Sequence, residues 1–170
     1  MNGHDQETSM SDGNDDEEKV ERRAYLFALA PTVVVVGVAP VLAYFFPSPI
    51  APDIGVLRFV GVPFVLAGIG LALWAVDSFA RSGETPSPAK TSDSLVSDGA
   101  FSYTRNPIYL GTVVAGLGAG VALESVVVVG YAFVLWVVYH VLTVYKEEPA
   151  LRQKLGEEYE DYCETVPRWL

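Results

Sequence analysis

From Ala24 to Phe46 the chain carries no charge at all, and a helix over that stretch is about 35 Å long, enough to cross the hydrocarbon core of a bilayer. A second apolar run, 57–80, is interrupted only by Arg58 at its start and Asp77 near its end. Asp77 and Arg81 are four apart, a spacing that lets them pair on one helix face. Two more runs, 108–123 and 125–145, are separated by Glu124. Read as one helix they would far exceed the bilayer thickness, so a tight helical hairpin with Glu124 and Ser125 at its tip is expected. The 108–123 run is short, about 24 Å as a helix. Pro31, Pro40 and Pro63 are tolerable where neighbouring helices satisfy the freed carbonyls. The expected fold is therefore an all-α membrane protein with about four transmembrane helices.

Charge is segregated from these runs. The 170 residues are 51% hydrophobic yet carry a net charge of −10. Eight acids crowd the first 21 residues, from Asp5 to Glu21, so 1–23 reads as a disordered acidic tail and 24–170 as the helical domain. The tail lacks the basic start and apolar centre of a secretory signal. An acidic balance gives no footprint for nucleic acid. The one cysteine, Cys163, rules out an internal disulfide, reads as an ordinary helix residue, and leaves no cysteine-rich metal site.

Ten of the eleven Lys and Arg residues flank the runs on one side, in 19–23, 81–105 and 146–168; Arg58 is the exception. The positive-inside rule then places both termini and the 81–107 loop in the cytoplasm. That loop contains Gly83-Glu84-Thr85-Pro86-Ser87-Pro88 and is too long for a simple turn, which suits a site-forming segment. Beyond the fourth run, Pro149 fits the first turn of a new helix over about 149–164. Leu151, Leu155, Tyr159 and Tyr162 would form its apolar stripe, lying on the membrane or against the bundle.

The hairpin returns two motifs to the same cytoplasmic face: Arg105-Asn106-Pro107-Ile108-Tyr109 and Glu147-Glu148-Pro149. Asn106 and Pro107 make a helix start, as N-cap and first helical residue. Arg105 beside that N-terminus adds a guanidinium to its amides and dipole, a combination that attracts a carboxylate or phosphate. Tyr103 and Tyr109 either stack on a ligand or belong to the interfacial aromatic belt. Glu147 and Glu148 at a helix C-terminus oppose the dipole unless a cation compensates, whether Lys146, Arg152, or a bound ammonium or sulfonium. His140, inside the fourth run, shares a helical face with Glu147 and either serves the site or bonds a neighbouring helix. A single His makes no metal site. Gly116-Leu117-Gly118-Ala119-Gly120 follows no strand, so it is no dinucleotide fingerprint; Gly116 and Gly120 instead form a close-packing face.

From Leu95 to Leu170 the chain resembles the isoprenylcysteine carboxyl methyltransferase and phospholipid methyltransferase superfamily. The resemblance rests on Leu95 to Gly111, Glu147-Glu148-Pro149-Ala150-Leu151, Gly156-Glu157-Glu158-Tyr159 through Tyr162, and Val166-Pro167-Arg168-Trp169. Gly83, Thr85, Pro86 and Pro88 match an upstream family segment. It implies a helical membrane enzyme that binds S-adenosylmethionine at the cytoplasmic face and takes a lipophilic methyl acceptor from the bilayer. By position, Tyr103, Arg105, Asn106, Tyr109, Glu147 and Glu148 would bind the cofactor, with Arg105, Glu147, Glu148 and His140 the candidates for catalysis. Asn106 stands where many members have His, and Asn does not titrate near neutral pH.

An isoprenylcysteine-type carboxylate is the nominal acceptor implied; a phospholipid amine or another isoprenoid is the alternative. Membrane sterol reductases, which bind a nicotinamide cofactor, share a similar Arg-x-Pro-x-Tyr stretch, and the sequence shows no extra basic cluster for a 2′-phosphate. A non-catalytic accessory protein is the third reading.

Overall fold

The computed structural model describes residues 29–47, 53–82 and 95–170, and every regular element in them is helical. The acidic tail, the first residues of the 24–46 run and the Gly83–Pro88 segment lie outside the described residues. Helix α1 covers Leu29–Phe45. A 3₁₀ turn at Gly55–Val60 leads into α2, Gly61–Ser82. A short 3₁₀ turn, Gly99–Ser102, precedes α3, Pro107–Ala122, and α4 follows at Val126–Leu142.

Helix α3 lies at the centre, and its composition explains how. Seven-residue spacing puts Gly111 and Gly118 on one face, and Gly61 and Gly68 on the facing side of α2. The two helices run antiparallel with these glycines in register. A Cβ on Gly68 would collide with the Gly111 carbonyl, and one on Gly118 would sit 2.7 Å from the Gly61 carbonyl. The expected Gly116/Gly120 face serves a different neighbour: it packs on Ala132 and Val129 of α4, with Val35 of α1 also at Gly116. A buried hydroxyl pair, Thr32 and Thr112 at 2.7 Å, joins α1 to α3. Backbones approach this closely only where side chains are absent, which is how apolar helices associate without water to drive them together.

The hairpin tip is as expected. Glu124 takes φ +50°, a strained conformation for a residue with a Cβ. Ser125 caps α4 by accepting from the Val128 amide at 3.3 Å. The Glu124 carboxylate accepts from the Ile54 amide at 3.1 Å and lies 4.0 Å from Arg58. Arg58, the basic residue that the charge pattern sets apart from the others, thus faces the acid at the tip. Asp77 and Arg81 pair at 2.7 Å.

Among the described residues two helices are long and apolar enough to cross a membrane, Gly55–Ser82 and Val126–Leu155, and only 22% of the most apolar stretch of each is buried inside the protein. Their outward faces carry Phe64, Leu66, Phe133 and Val134, all exposed. The described part of α1 and all of α3 are shorter, 10–17 residues.

The fourth apolar run differs from expectation at its end. It does not stop at Tyr145: the helix continues through a π-helical turn, Thr143–Glu147, into α5, Glu148–Leu155. The Glu148 amide reaches back five residues to the Thr143 carbonyl. Pro149 supplies the reason, because it has no N–H and its ring crowds the carbonyl four residues earlier, so a widened turn relieves the clash. The single helix expected over 149–164 is divided at Gly156, where φ +58° and ψ −128° are open only to glycine. Helix α6, Glu157–Thr165, then turns back, and Tyr159, Tyr162 and Val166 pack with Leu95, Leu151, Leu155 and Cys163.

Gly68→Ala should destabilise the detergent-solubilised protein by about 1–3 kcal/mol, the usual cost of overpacking. Gly70→Ala, on the same helix but with nothing within 4 Å of its Cβ position, should be neutral or slightly stabilising. Thermal unfolding of the two variants side by side checks the α2–α3 register.

Candidate active site

Glu148 is 2% exposed, the bulkiest of the fully buried side chains among the described residues. Removing a carboxylate from water costs several kcal/mol unless charged donors surround it. Arg168 supplies a two-pronged contact, Nε to Oε1 at 2.6 Å and Nη2 to Oε2 at 3.0 Å. Arg105 Nη1 donates to Oε1 at 3.1 Å, and Arg152 Nη1 lies 3.4 Å from Oε2. Three guanidiniums therefore meet one carboxylate; Arg152 is also paired with Glu160 through Nε at 3.0 Å, so the cluster keeps a surplus of one positive charge. The Glu148 hydrogen bond holds the Arg168 guanidinium still more firmly charged.

The arginines come from three segments: the loop before α3, helix α5, and a C-terminal strap, Val166–Trp169. The strap is fastened through its backbone. The Arg105 amide donates to the Pro167 carbonyl at 3.0 Å, while Thr104 Oγ1 and Asn106 Nδ2 donate to the Arg168 carbonyl at 3.0 and 3.1 Å. Upstream, Tyr162 donates its hydroxyl to the Phe101 carbonyl at 2.7 Å. Burial pushes the Tyr162 phenol up, which keeps it a neutral donor, and pushes the Tyr159 phenol up to about 12. Arg105 also donates through Nη1 to Cys163 Sγ at 2.9 Å, a role for the cysteine beyond that of an ordinary helix residue. Its buried Nε has no partner among the described residues.

The second glutamate is held differently. Tyr109, stacked on Tyr139 at 4.4 Å between ring centres, donates its hydroxyl to Glu147 Oε1 at 2.5 Å. Neighbours in an α-helix point 100° apart, yet Glu147 and Glu148 both reach groups on or before α3. The π turn shifts both glutamates together by about one residue's rotation relative to α4, turning the pair towards α3. In the same turn Thr143 Oγ1 donates to Asn106 Oδ1 at 3.3 Å.

Several expectations change here. Asn106 holds the N-cap position with Pro107 at the first helical residue, but its side chain makes no cap bond; it ties the strap to α4 instead. The glutamates do not end a helix, because the chain continues helical to Leu155, so the dipole argument lapses and arginines supply the compensation. Tyr103 is 66% exposed and leans on Trp74 at 5.7 Å, away from the glutamates. His140 accepts from Trp169 Nε1 at 3.1 Å through Nδ1 rather than engaging either glutamate, with Trp136 alongside. Arg168 and Trp169 were not among the site residues expected from the sequence. The usable signal was the pairing of a charge and an aromatic in the terminal Val-Pro-Arg-Trp.

The arrangement offers one unpartnered buried donor in a positive cluster, suited to an anionic group, and one carboxylate held by no arginine, suited to a cation. Arg168→Lys should destabilise the fold by about 2–3 kcal/mol, since an ammonium cannot replace the two-pronged contact and leaves buried charge poorly paired. Arg152→Lys should cost under about 1 kcal/mol because that contact is longer and more exposed. Thermal unfolding in detergent distinguishes the two.

The phospholipid methyltransferase family matches residues 56–158, from the turn before α2 into α6, so Arg105, Asn106, Tyr109, Glu147 and Glu148 fall inside the match and the strap falls beyond it. No curated protein matches the chain. With more than half of its length matched and two long apolar helices, the chain belongs to the phospholipid methyltransferase family of integral membrane methyltransferases, within the superfamily that includes the isoprenylcysteine carboxyl methyltransferases.

Proposed function

We propose that this protein transfers a methyl group from S-adenosylmethionine to a lipophilic acceptor that approaches from the bilayer. The observation that carries the reading is the convergence of Arg105, Arg152 and Arg168 on one buried carboxylate, with Arg105 Nε left unpartnered. A buried donor without a partner costs roughly 1–3 kcal/mol, and an incoming carboxylate relieves it. In this reading the cofactor's carboxylate lies by Arg105 and the strap, and its ammonium by Glu147. S-adenosylmethionine, when bound, supplies an electrophilic methyl on a sulfonium.

The chain's own residues bind, orient and exclude water. Tyr109 fixes Glu147 in place; the strap covers Arg105 and Asn106. Alignment of this kind contributes several kcal/mol to group transfer, of order tenfold in rate for each 1.4 kcal/mol. A carboxylate acceptor requires no proton transfer. An amine acceptor must lose a proton, and Glu147 is the group placed to take it, since Glu148 is engaged by arginines. The reading includes four spans, both termini in the cytoplasm and the site at that face. The one-sided distribution of basic residues supports this, as does the position of Glu124 opposite Arg58 at the other end.

Calorimetric titration of the detergent-purified protein with S-adenosylhomocysteine should give saturable binding. Arg105→Ala and Glu148→Ala, each verified as folded by its thermal transition, should weaken it at least about tenfold, the loss of 1.4 kcal/mol or more. Absence of binding at millimolar ligand, or binding of a reduced nicotinamide dinucleotide phosphate in its place, would contradict the methyltransferase reading. Binding unchanged by either substitution would move the site elsewhere.

A further inference from the structure

By its spacing His140 either serves the glutamate site, with a basic role open to it, or bonds a neighbouring helix. Its surroundings assign it a third role. An indole N–H only donates, so the ring nitrogen that meets Trp169 Nε1 at 3.1 Å must be bare. In the neutral ring the proton is then on the other nitrogen, Nε2, which makes no hydrogen bond among the described residues. Turning the ring over would put the Cδ2–H, not a nitrogen, against the indole N–H, so the contact with Trp169 fixes which way the ring faces. His140 therefore presents a donor, and the nitrogen that would accept a proton is already engaged.

Where that donor sits suggests its ligand. Trp136 and Trp169 flank the ring at 5.8 and 6.2 Å between centres, an aromatic lining with little polarity of its own. Along the same helix Phe133, Val137 and Val141 are exposed and apolar, a surface for a hydrocarbon chain. Arg168, next to Trp169 in the strap, belongs to the cluster with surplus positive charge. A donor between an apolar lane and a positive cluster matches an amphiphile whose polar end carries an anionic oxygen.

We propose that His140 is an acceptor-binding residue: oriented by Trp169, its Nε2–H donates to an anionic oxygen of the lipid acceptor lying along α4. The oxygen belongs either to a phosphodiester or to a carboxylate. Calling that lipid the acceptor rests on the methyltransferase reading; the contact itself does not.

The chain has two histidines, so the full-length His4→Gln variant labelled with [15N]histidine reports His140 alone. Its ring spectrum in alkyl maltoside micelles, which carry no phosphate or carboxylate, should show the proton on Nε2. Trp169→Phe should let the other tautomer appear. Short-chain phosphatidylethanolamine, S-farnesyl-N-acetylcysteine and neutral diacylglycerol are then titrated separately. Movement of the Nε2–H signal with the first alone assigns a phosphodiester, with the second alone a carboxylate, and with both any anionic oxygen; each supports the proposal. His140→Leu should weaken binding of the responding lipid about fivefold to tenfold, and His140→Gln, which can accept and donate but is no base, should restore it to within about twofold. A proton on Nδ1, no response to either anionic lipid, or an equal response to diacylglycerol would overturn it. S-adenosylhomocysteine binding measured on the same sample separates the two claims. Retained cofactor binding with a silent His140 removes only this inference, whereas lipid contact without cofactor binding removes the methyltransferase reading.

Discussion

A carboxylate buried as deeply as that of Glu148 is tolerated only if cations are brought to it, and much of the architecture around it can be traced to that requirement. Arg152 lies one turn away on the same helix. Arg105 must come from the loop before α3, and Arg168 from the end of the chain. To deliver Arg168, the chain breaks at Gly156, reverses through α6 and lies down as a strap whose carbonyls accept from Thr104, Arg105 and Asn106. Removing the carboxylate would leave three guanidiniums with no common partner, so the acid and the strap stand or fall together.

The bundle beneath solves a separate problem. Apolar helices in lipid gain nothing from hiding apolar surface, so α2 and α3 are held by close backbone approach at paired glycines, and α1 by a buried threonine pair. Such packing is rigid, and it fixes where α3 begins. Arg105 and Tyr109 therefore meet the two glutamates from a fixed position. The π turn supplies the remaining adjustment, rotating Glu147 and Glu148 together relative to α4.

Much of this was legible in the sequence because it depends on local pattern. Apolar runs gave the helices, the lone Glu124 gave the hairpin, and the hairpin brought the Arg105–Tyr109 motif and the Glu147–Glu148 pair to one face. What escaped depends on tertiary choice. Asn106 has the residue type and position of an N-cap, yet its amide bridges Arg168 and Thr143. Nothing in spacing alone connects Arg168 to a glutamate twenty residues earlier across a reversal at Gly156. His140 shares a helical face with Glu147 by count, but the π turn changes that count, and Trp169 engages the ring. The Gly61/Gly68 and Gly111/Gly118 pairs were visible at a spacing of seven, though a four-residue pattern at Gly116 and Gly120 draws the eye first.

The central claim is that the loop before α3, the π turn with α5, and the C-terminal strap form one cofactor site. Hydrogen–deuterium exchange of the full chain in detergent, with and without S-adenosylhomocysteine, tests it most directly. The account expects added protection in all three segments, 103–110, 143–152 and 166–170, rising together with ligand concentration and absent from the hairpin tip at Glu124. Protection confined to one segment, or unchanged exchange at saturating ligand, would contradict it.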